Sequence, residues 1–263
     1  MPRANRSYVP GYVWHITHRC HKREFLLRAE ADRAVWRRWL WRSTSRYGLS
    51  VLNFVATSNH IHLLVYDAFA GETIARSLQL IQGCTAQAHN RRRGRAGAFW
   101  HDRYHAVAVD SETHLWNCLV YLDLNMVRAR AVQHPSEWRC AGYNEIQNPR
   151  SRYRVLDLDR LADLTGCATL DALQTQHRDH VEAALDRNDL MRDPRWTEAI
   201  AVGGEQFVDG VRARLGISKL ERIQSEGKHG WVLLEDSEAY VPEFRDRFRA
   251  KALYAANPEK KFR

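Results

Sequence analysis

The spacing of apolar and polar positions changes period several times over the first 130 residues, and each change marks an element. Residues 11–19, GYVWHITHR, are rich in aromatic and β-branched side chains and predict a strand. Residues 30–47, EADRAVWRRWLWRSTSRY, switch to helical spacing, with Val35 and Trp39 inward beside Trp36 and Leu40, and Gly48 ending the helix. LSVLNFVAT (49–57) and HIHLLVY (60–66) then read as two strands joined by the dipeptide SN. Residues 71–90 return to helical spacing, with Ile74, Leu78 and Ile81 on one stripe, and RRRGRAG (91–97) reads as a basic loop. RYHAVAVD (103–110) alternates as a strand, and Asp110 or Ser111 is placed to cap a helix running to about Arg130.

The resulting order is β-α-β-β-α-β-α. It predicts an α+β fold, a ferredoxin-like split βαβ sheet with helices on one face. Past residue 150 the pattern loosens. LDRLADLTG (158–166), LDALQTQHRDHVEAALDRND (170–189) and GGEQFVDGVRARLG (203–216) read as helices, and GWVLLED (230–236) as a short strand or an irregular stretch. Two units follow: 1–148 as a catalytic domain, and 149–263 as a mainly helical extension. The final NPEKKFR is expected to be disordered.

Charge sharpens this division. The chain carries +9 overall, but residues 1–150 hold 21 basic and 11 acidic residues, whereas 151–263 hold 19 and 20. The excess is almost wholly arginine, whose planar fork fits phosphate oxygens. A polyanion-binding module followed by a neutral appendage is the expectation. No apolar run reaches the length of a membrane helix, and the N-terminus lacks the apolar core of a secretory signal. Five widely spaced cysteines without a CxxC fit reduced, buried thiols and a cytoplasmic location.

Candidate chemistry starts with His60 and His62. Two residues apart on a strand, they project to the same face. As neutral imidazoles they could ligate a divalent ion, although thirteen histidines make one such pair unremarkable and a hydrogen-bonded structural pair is the bland alternative. A third ligand is available on the late helix. Asn125 offers a hard amide oxygen suited to Mg²⁺ or Mn²⁺. Tyr121, one turn earlier on the same helical face, places a phenol near any metal-bound phosphate; otherwise it is a core aromatic.

These residues resemble the HUH single-tyrosine transposases, and within them the REP-associated tyrosine transposases. The resemblance spans roughly residues 8–145. It rests on YVPGYVWHITHRCHKREFLL, SNHIHLLV, AHNRRRGRAGAFWHDRYHAVAVD and YLDLNMVRARAVQHPSEWRCAGY. Where the family usually has Pro and Gly, this chain has Met126 and Arg130. The resemblance implies a metal held by His60, His62 and Asn125, with Tyr121 attacking a phosphate of single-stranded DNA to leave a 5′-phosphotyrosine and a free 3′-hydroxyl. It implies hairpin substrates resembling REP inverted repeats. Arg91, Arg92, Arg93 and Arg95 are candidates to clamp the hairpin backbone, Arg19, Lys22 and Arg103 to meet phosphates, and Trp100 or Tyr104 to stack a base. A relaxase or replication initiator with the same chemistry, and a non-catalytic hairpin-binding regulator, are the alternatives. The extra C-terminal third slightly favours a monomer over a homodimer.

Overall fold

A computed structural model describes residues 8–68, 72–215, 220–224 and 230–235. The N-terminal half comprises β1 (Tyr12–Arg19), α1 (Glu30–Tyr47), β2 (Ser50–Ala56), β3 (His60–Asp67), α2 (Glu72–Arg93), β4 (His105–Val109), α3 (Thr113–Asp123), α4 (Asn125–Arg128) and α5 (Tyr143–Gln147). The remainder adds α6 (Leu158–Thr165), α7 (Leu170–Asp186), α8 (Arg195–Glu198), β5 (Ala201–Gly203), α9 (Glu205–Leu215), β6 (Leu220–Gln224) and β7 (Trp231–Glu235).

The first four strands pair antiparallel in the order β2-β3-β1-β4, the ferredoxin-like arrangement. Register assigns the faces. Phe54 lies opposite Leu63, which lies opposite Ile16, and Trp36 of α1 packs against Phe54 with ring centroids 5.9 Å apart. This face carries α1 and α2. The two helices are joined where buried Asp32 accepts from His89 Nδ1 at 3.0 Å and pairs with Arg92. On the opposite face, Thr17 aligns with His62 and His15 with Leu64. A bulge between Val51 and Asn53 resets the alternation of β2 and aligns Asn53 with Leu64, on that same face. There Asn53 donates to Asp123 of α3 at 3.0 Å, so α3 covers the face that bears His62.

Among the described residues the extension carries α6 to α9, and it also lengthens the sheet. β5 pairs parallel with β4, and β7 and β6 follow, giving the order β2-β3-β1-β4-β5-β7-β6. The three-residue β5 is too short to carry a period, and β6 (LERIQ) reads as polar. α6 and α7 pack against α3, and α8 lies over β1 and β4. The final NPEKKFR lies outside the described residues.

Four local expectations change. In α1 the inward stripe is Asp32, Trp36, Leu40 and Ser43, with Val35 and Trp39 at its margin. Residues 91–93 are the last turn of α2 rather than a loop, because arginine is a good helix former and Gly94, at φ 58°, supplies the stop. α3 begins at Thr113 behind Glu112, which makes no side-chain cap bond, and the Asp110 carboxylate accepts from Ser111 N and Gly204 N instead. The late helix also bends at Leu124, dividing α3 from α4 while its main-chain hydrogen bonds continue across the join.

Candidate active site

β3 presents His60 at its half-exposed start and His62 two residues further in, with their rings 4.9 Å apart. Each imidazole is fixed through Nδ1. His60 Nδ1 meets Asn59 Oδ1 at 2.7 Å and Thr57 Oγ1 at 2.9 Å, whereas His62 Nδ1 meets His15 Nε2 at 2.9 Å. Partners on one ring nitrogen set the orientation of the other. His62 Nε2 faces the Asn125 carboxamide at 3.0 Å. Amide nitrogen and oxygen are assigned from the hydrogen-bond network, and a half-turn of this carboxamide would present its oxygen at the same place.

Electrostatics keep these imidazoles neutral. Burial, followed by the nearby Arg19 charge, lowers the His60 pKa to about 4. Burial, then His60 and His15, holds His62 well below the ordinary histidine value. Burial alone accounts for most of the drop of His15 to about 3. Neutral imidazoles with Nε2 available and Nδ1 anchored are what a divalent ion requires. Among the described residues no cluster of three His, Cys, Asp or Glu side chains forms a metal cage. An ion bound here would therefore rely on the Asn125 oxygen as its third protein donor.

Tyr121 sits one turn before Asn125 and is buried beside these groups, its ring 6.1 Å from that of His62 and 6.3 Å from that of His15. The Arg128 guanidinium lies over the Tyr121 ring, 4.4 Å from its centroid, and reaches the Tyr121 carbonyl at 3.4 Å. Burial raises the phenol pKa, and the charges of Arg128 and Arg192 act against that rise. On the far side stands Trp196, its ring centroid 6.2 Å from that of Tyr121.

A concave pocket of about 280 Å³ opens at this point. His60, His62, Tyr121 and Asn125 line it together with four arginines, Arg19, Arg23, Arg128 and Arg192. After burial, repulsion from Arg192 and Arg23 lowers the Arg19 pKa further, so the pocket gathers positive charge that an anion would relieve. Such a cavity has the size and charge for a phosphodiester.

The other sequence candidates lie elsewhere. Lys22 is exposed in a 3₁₀ turn, and its neighbour Arg23 is the one lining the pocket. Arg91 and Arg93 are exposed at the end of α2, Arg92 pairs with Asp32, and Arg95 bonds the Ala98 carbonyl at 2.9 Å. Trp100 stacks on His18 at 4.5 Å and donates to the Gln82 carbonyl, so its ring is engaged in packing. Tyr104 accepts from Tyr8 at 3.0 Å, and Arg103 is exposed. Sequence reading missed Arg23, Arg128, Arg192 and Trp196, and did not connect His15 with His62. Arg128 had a signal, three residues after Asn125 on the same helical face. Arg192 and Trp196 had none, since they arrive from the extension.

A sheet with paired histidines facing a helix-borne tyrosine, ringed by arginines, is a candidate site for handling a phosphodiester. Residues 8–123 match the family model described as "Transposase IS200 like". The match includes His60, His62 and Tyr121 and ends two residues before Asn125. The likeness to a transposase family therefore extends over residues 8–123, less than half of the 263-residue chain. Two solved structures are similar. A REP-associated tyrosine transposase bound to a REP hairpin aligns with a TM-score of 0.46 at 17% identity, covering 59% of this chain and 90% of that one. A candidate transposase from Deinococcus radiodurans R1 aligns with a TM-score of 0.32 at 18% identity, covering 50% and 93%. No curated protein matches the chain.

Proposed function

We propose that the chain is a metal-dependent endonuclease and strand transferase for single-stranded DNA, acting on hairpins of the REP type through Tyr121. The observation that carries this reading is the convergence, within one chain, of Tyr121, Asn125 and His62 on a pocket lined by four arginines. In this reading residues 1–148 are the catalytic unit, and 149–263 complete the pocket with Arg192 and buttress it with Trp196.

The arginines hold the scissile phosphate, and Arg128 keeps the Tyr121 ring directed into the pocket. The Tyr121 hydroxyl oxygen attacks phosphorus as its proton departs to solvent. The bond from phosphorus to the 3′-oxygen breaks, that oxygen takes a proton, and the 5′-phosphate stays on the tyrosine. Charge developing on the phenol oxygen is opposed by burial and favoured by Arg128 and Arg192. His60, His62 and Asn125 would hold Mg²⁺ or Mn²⁺, which when bound supplies Lewis-acid stabilisation of the phosphoryl oxygens. Attack on the phosphotyrosine by another 3′-hydroxyl reverses the step and joins strands, with no external energy source. The resemblance to REP-associated transposases and the arginine excess support the hairpin substrate. In this reading one chain supplies Tyr121, both histidines and Asn125, and a monomer is the expected active form.

The metal component has a direct test. Cleavage of a hairpin oligonucleotide should stop with a chelator and return with Mg²⁺ or Mn²⁺, and His62→Ala should remain inactive with either ion. Cleavage at the same site by the chelated protein would contradict the His-His-Asn site.

A further inference from the structure

The helix α1 has an outward side that the transposase chemistry leaves unused. It forms one wall of a cleft of about 1,110 Å³, and the other wall is the chain around 136–153, attached beside β2 through the Val55–Ala141 bridge. α1 and α3 cover opposite faces of the sheet, and no residue that lines this cleft lines the Tyr121 pocket.

Its arginines divide into two groups. Arg33 stacks on Trp138 at 4.6 Å and donates to the Leu27 carbonyl, while Arg37 binds Glu145 at 2.8 Å, so both hold the structure together. Arg38, Arg42 and Arg150 are exposed on the cleft, and among the described residues none has an acidic partner, although Arg42 lies over the Trp39 ring, 4.8 Å from its centroid. Exposed Arg152 and Arg154 continue the charge beyond the rim. The surface pair Arg139–Glu30 is solvent-screened and removes little of this potential.

The aromatic content sets this cleft apart from an ordinary solvated face. Tyr153 is 64% exposed and edge-on to Trp41, with ring centroids 4.9 Å apart. It is also held at φ 57°, a left-handed conformation costly for a bulky side chain and concentrated at functional positions. A flat, open ring among exposed guanidinium groups is the pairing used for unpaired nucleic-acid strands: arginines follow the phosphates and the ring stacks a base. A duplex would offer phosphates but no free base.

We propose that the cleft between α1 and the 136–153 segment is a second DNA-binding groove, which holds an unpaired strand by its phosphates and stacks one base on Tyr153. The proposal rests on the chain handling single-stranded DNA, as proposed above, and not on the chemistry of Tyr121.

The test is fluorescence anisotropy of the full chain with a labelled dT20 oligonucleotide across a salt series, with no cleavage step. Arg38→Ala/Arg42→Ala/Arg150→Ala should weaken binding at least tenfold and reduce the log–log salt slope by about 2, close to 0.7 per lost phosphate contact. Tyr153→Ala should weaken binding about tenfold with the slope unchanged, as loss of a stacking platform does. All four side chains are exposed, so unaltered thermal melting will show that the variants fold. Unchanged dT20 affinity and slope would overturn the proposal, even in a protein that cleaves hairpins. So would a loss confined to duplex DNA, whereas a protein that binds dT20 through this cleft yet never cleaves would leave the groove standing and sink only the tyrosine chemistry.

Discussion

At the scale of single residues, the candidate active site is built by anchoring. His15 is fully buried and its Nε2 fixes the ring of His62, and Thr57 and Asn59 do the same for His60. In the proposed metal site such partners would orient the ligands without touching substrate. Arg130 illustrates the opposite case, a residue at odds with its backbone. It is exposed and sits at φ 55°, where the resembling family usually has glycine. Left-handed backbone costs a residue with a Cβ about 1 kcal/mol. Arg130→Gly should therefore stabilise the protein by that amount, raising Tm by about 2 °C for a chain of this size. A fall in Tm by calorimetry would mean that the arginine side chain makes compensating contacts.

At the scale of elements, the decisive one is the tyrosine helix and what holds it. Asp123 lies between Tyr121 and Asn125 in sequence but turns to the other side. Its carboxylate accepts from Asn53 of β2 at 3.0 Å and from His177 of α7 at 2.7 Å, fully buried. His177 is held in turn by Gln147 at 2.9 Å. The extension thus fastens α3 to its own sheet. His177→Ala leaves a buried carboxylate short of a partner and should cost about 3 kcal/mol by urea denaturation. A cost below about 1 kcal/mol would show that the bond does not brace the helix.

Much of this scale was legible in the sequence. Period-2 and period-3.6 stretches located β1 to β4, α1 to α3 and the larger helices of the extension, because each buries one regular face. What escaped was set by tertiary contact. The phase of α1 shifted because buried Asp32 faces α2 and is partnered there by His89 and Arg92. The bend at Leu124 leaves no mark in hydrophobic spacing. Tyr121, His62 and Asn125 could be grouped because each lies on a regular element, whereas Arg192 and Trp196 reach the pocket from the irregular region around α8.

At the scale of the whole molecule, the charge asymmetry gains a geography. Four arginines converge on the Tyr121 pocket, others line the cleft outside α1, and Arg91 and Arg93 project from the end of α2. Arg92 belongs to a different account, since it partners buried Asp32. Arg91→Ala/Arg93→Ala should flatten the salt dependence of hairpin binding by about 1.4 in log–log slope, at 0.7 per phosphate on an unpaired strand, with thermal stability intact. An unaltered slope would place the DNA away from this helix end.

The central claim is that Tyr121 becomes covalently joined to DNA, and mapping that bond tests it most directly. The protein is incubated with Mg²⁺ and a hairpin oligonucleotide carrying flanking single strands, then digested and analysed by mass spectrometry. The account predicts a nucleotide adduct on the peptide containing Tyr121, and no adduct in Tyr121→Phe, which loses one oxygen and keeps its packing. An adduct on another residue, such as Tyr104, or an adduct persisting in the Phe variant, would contradict it.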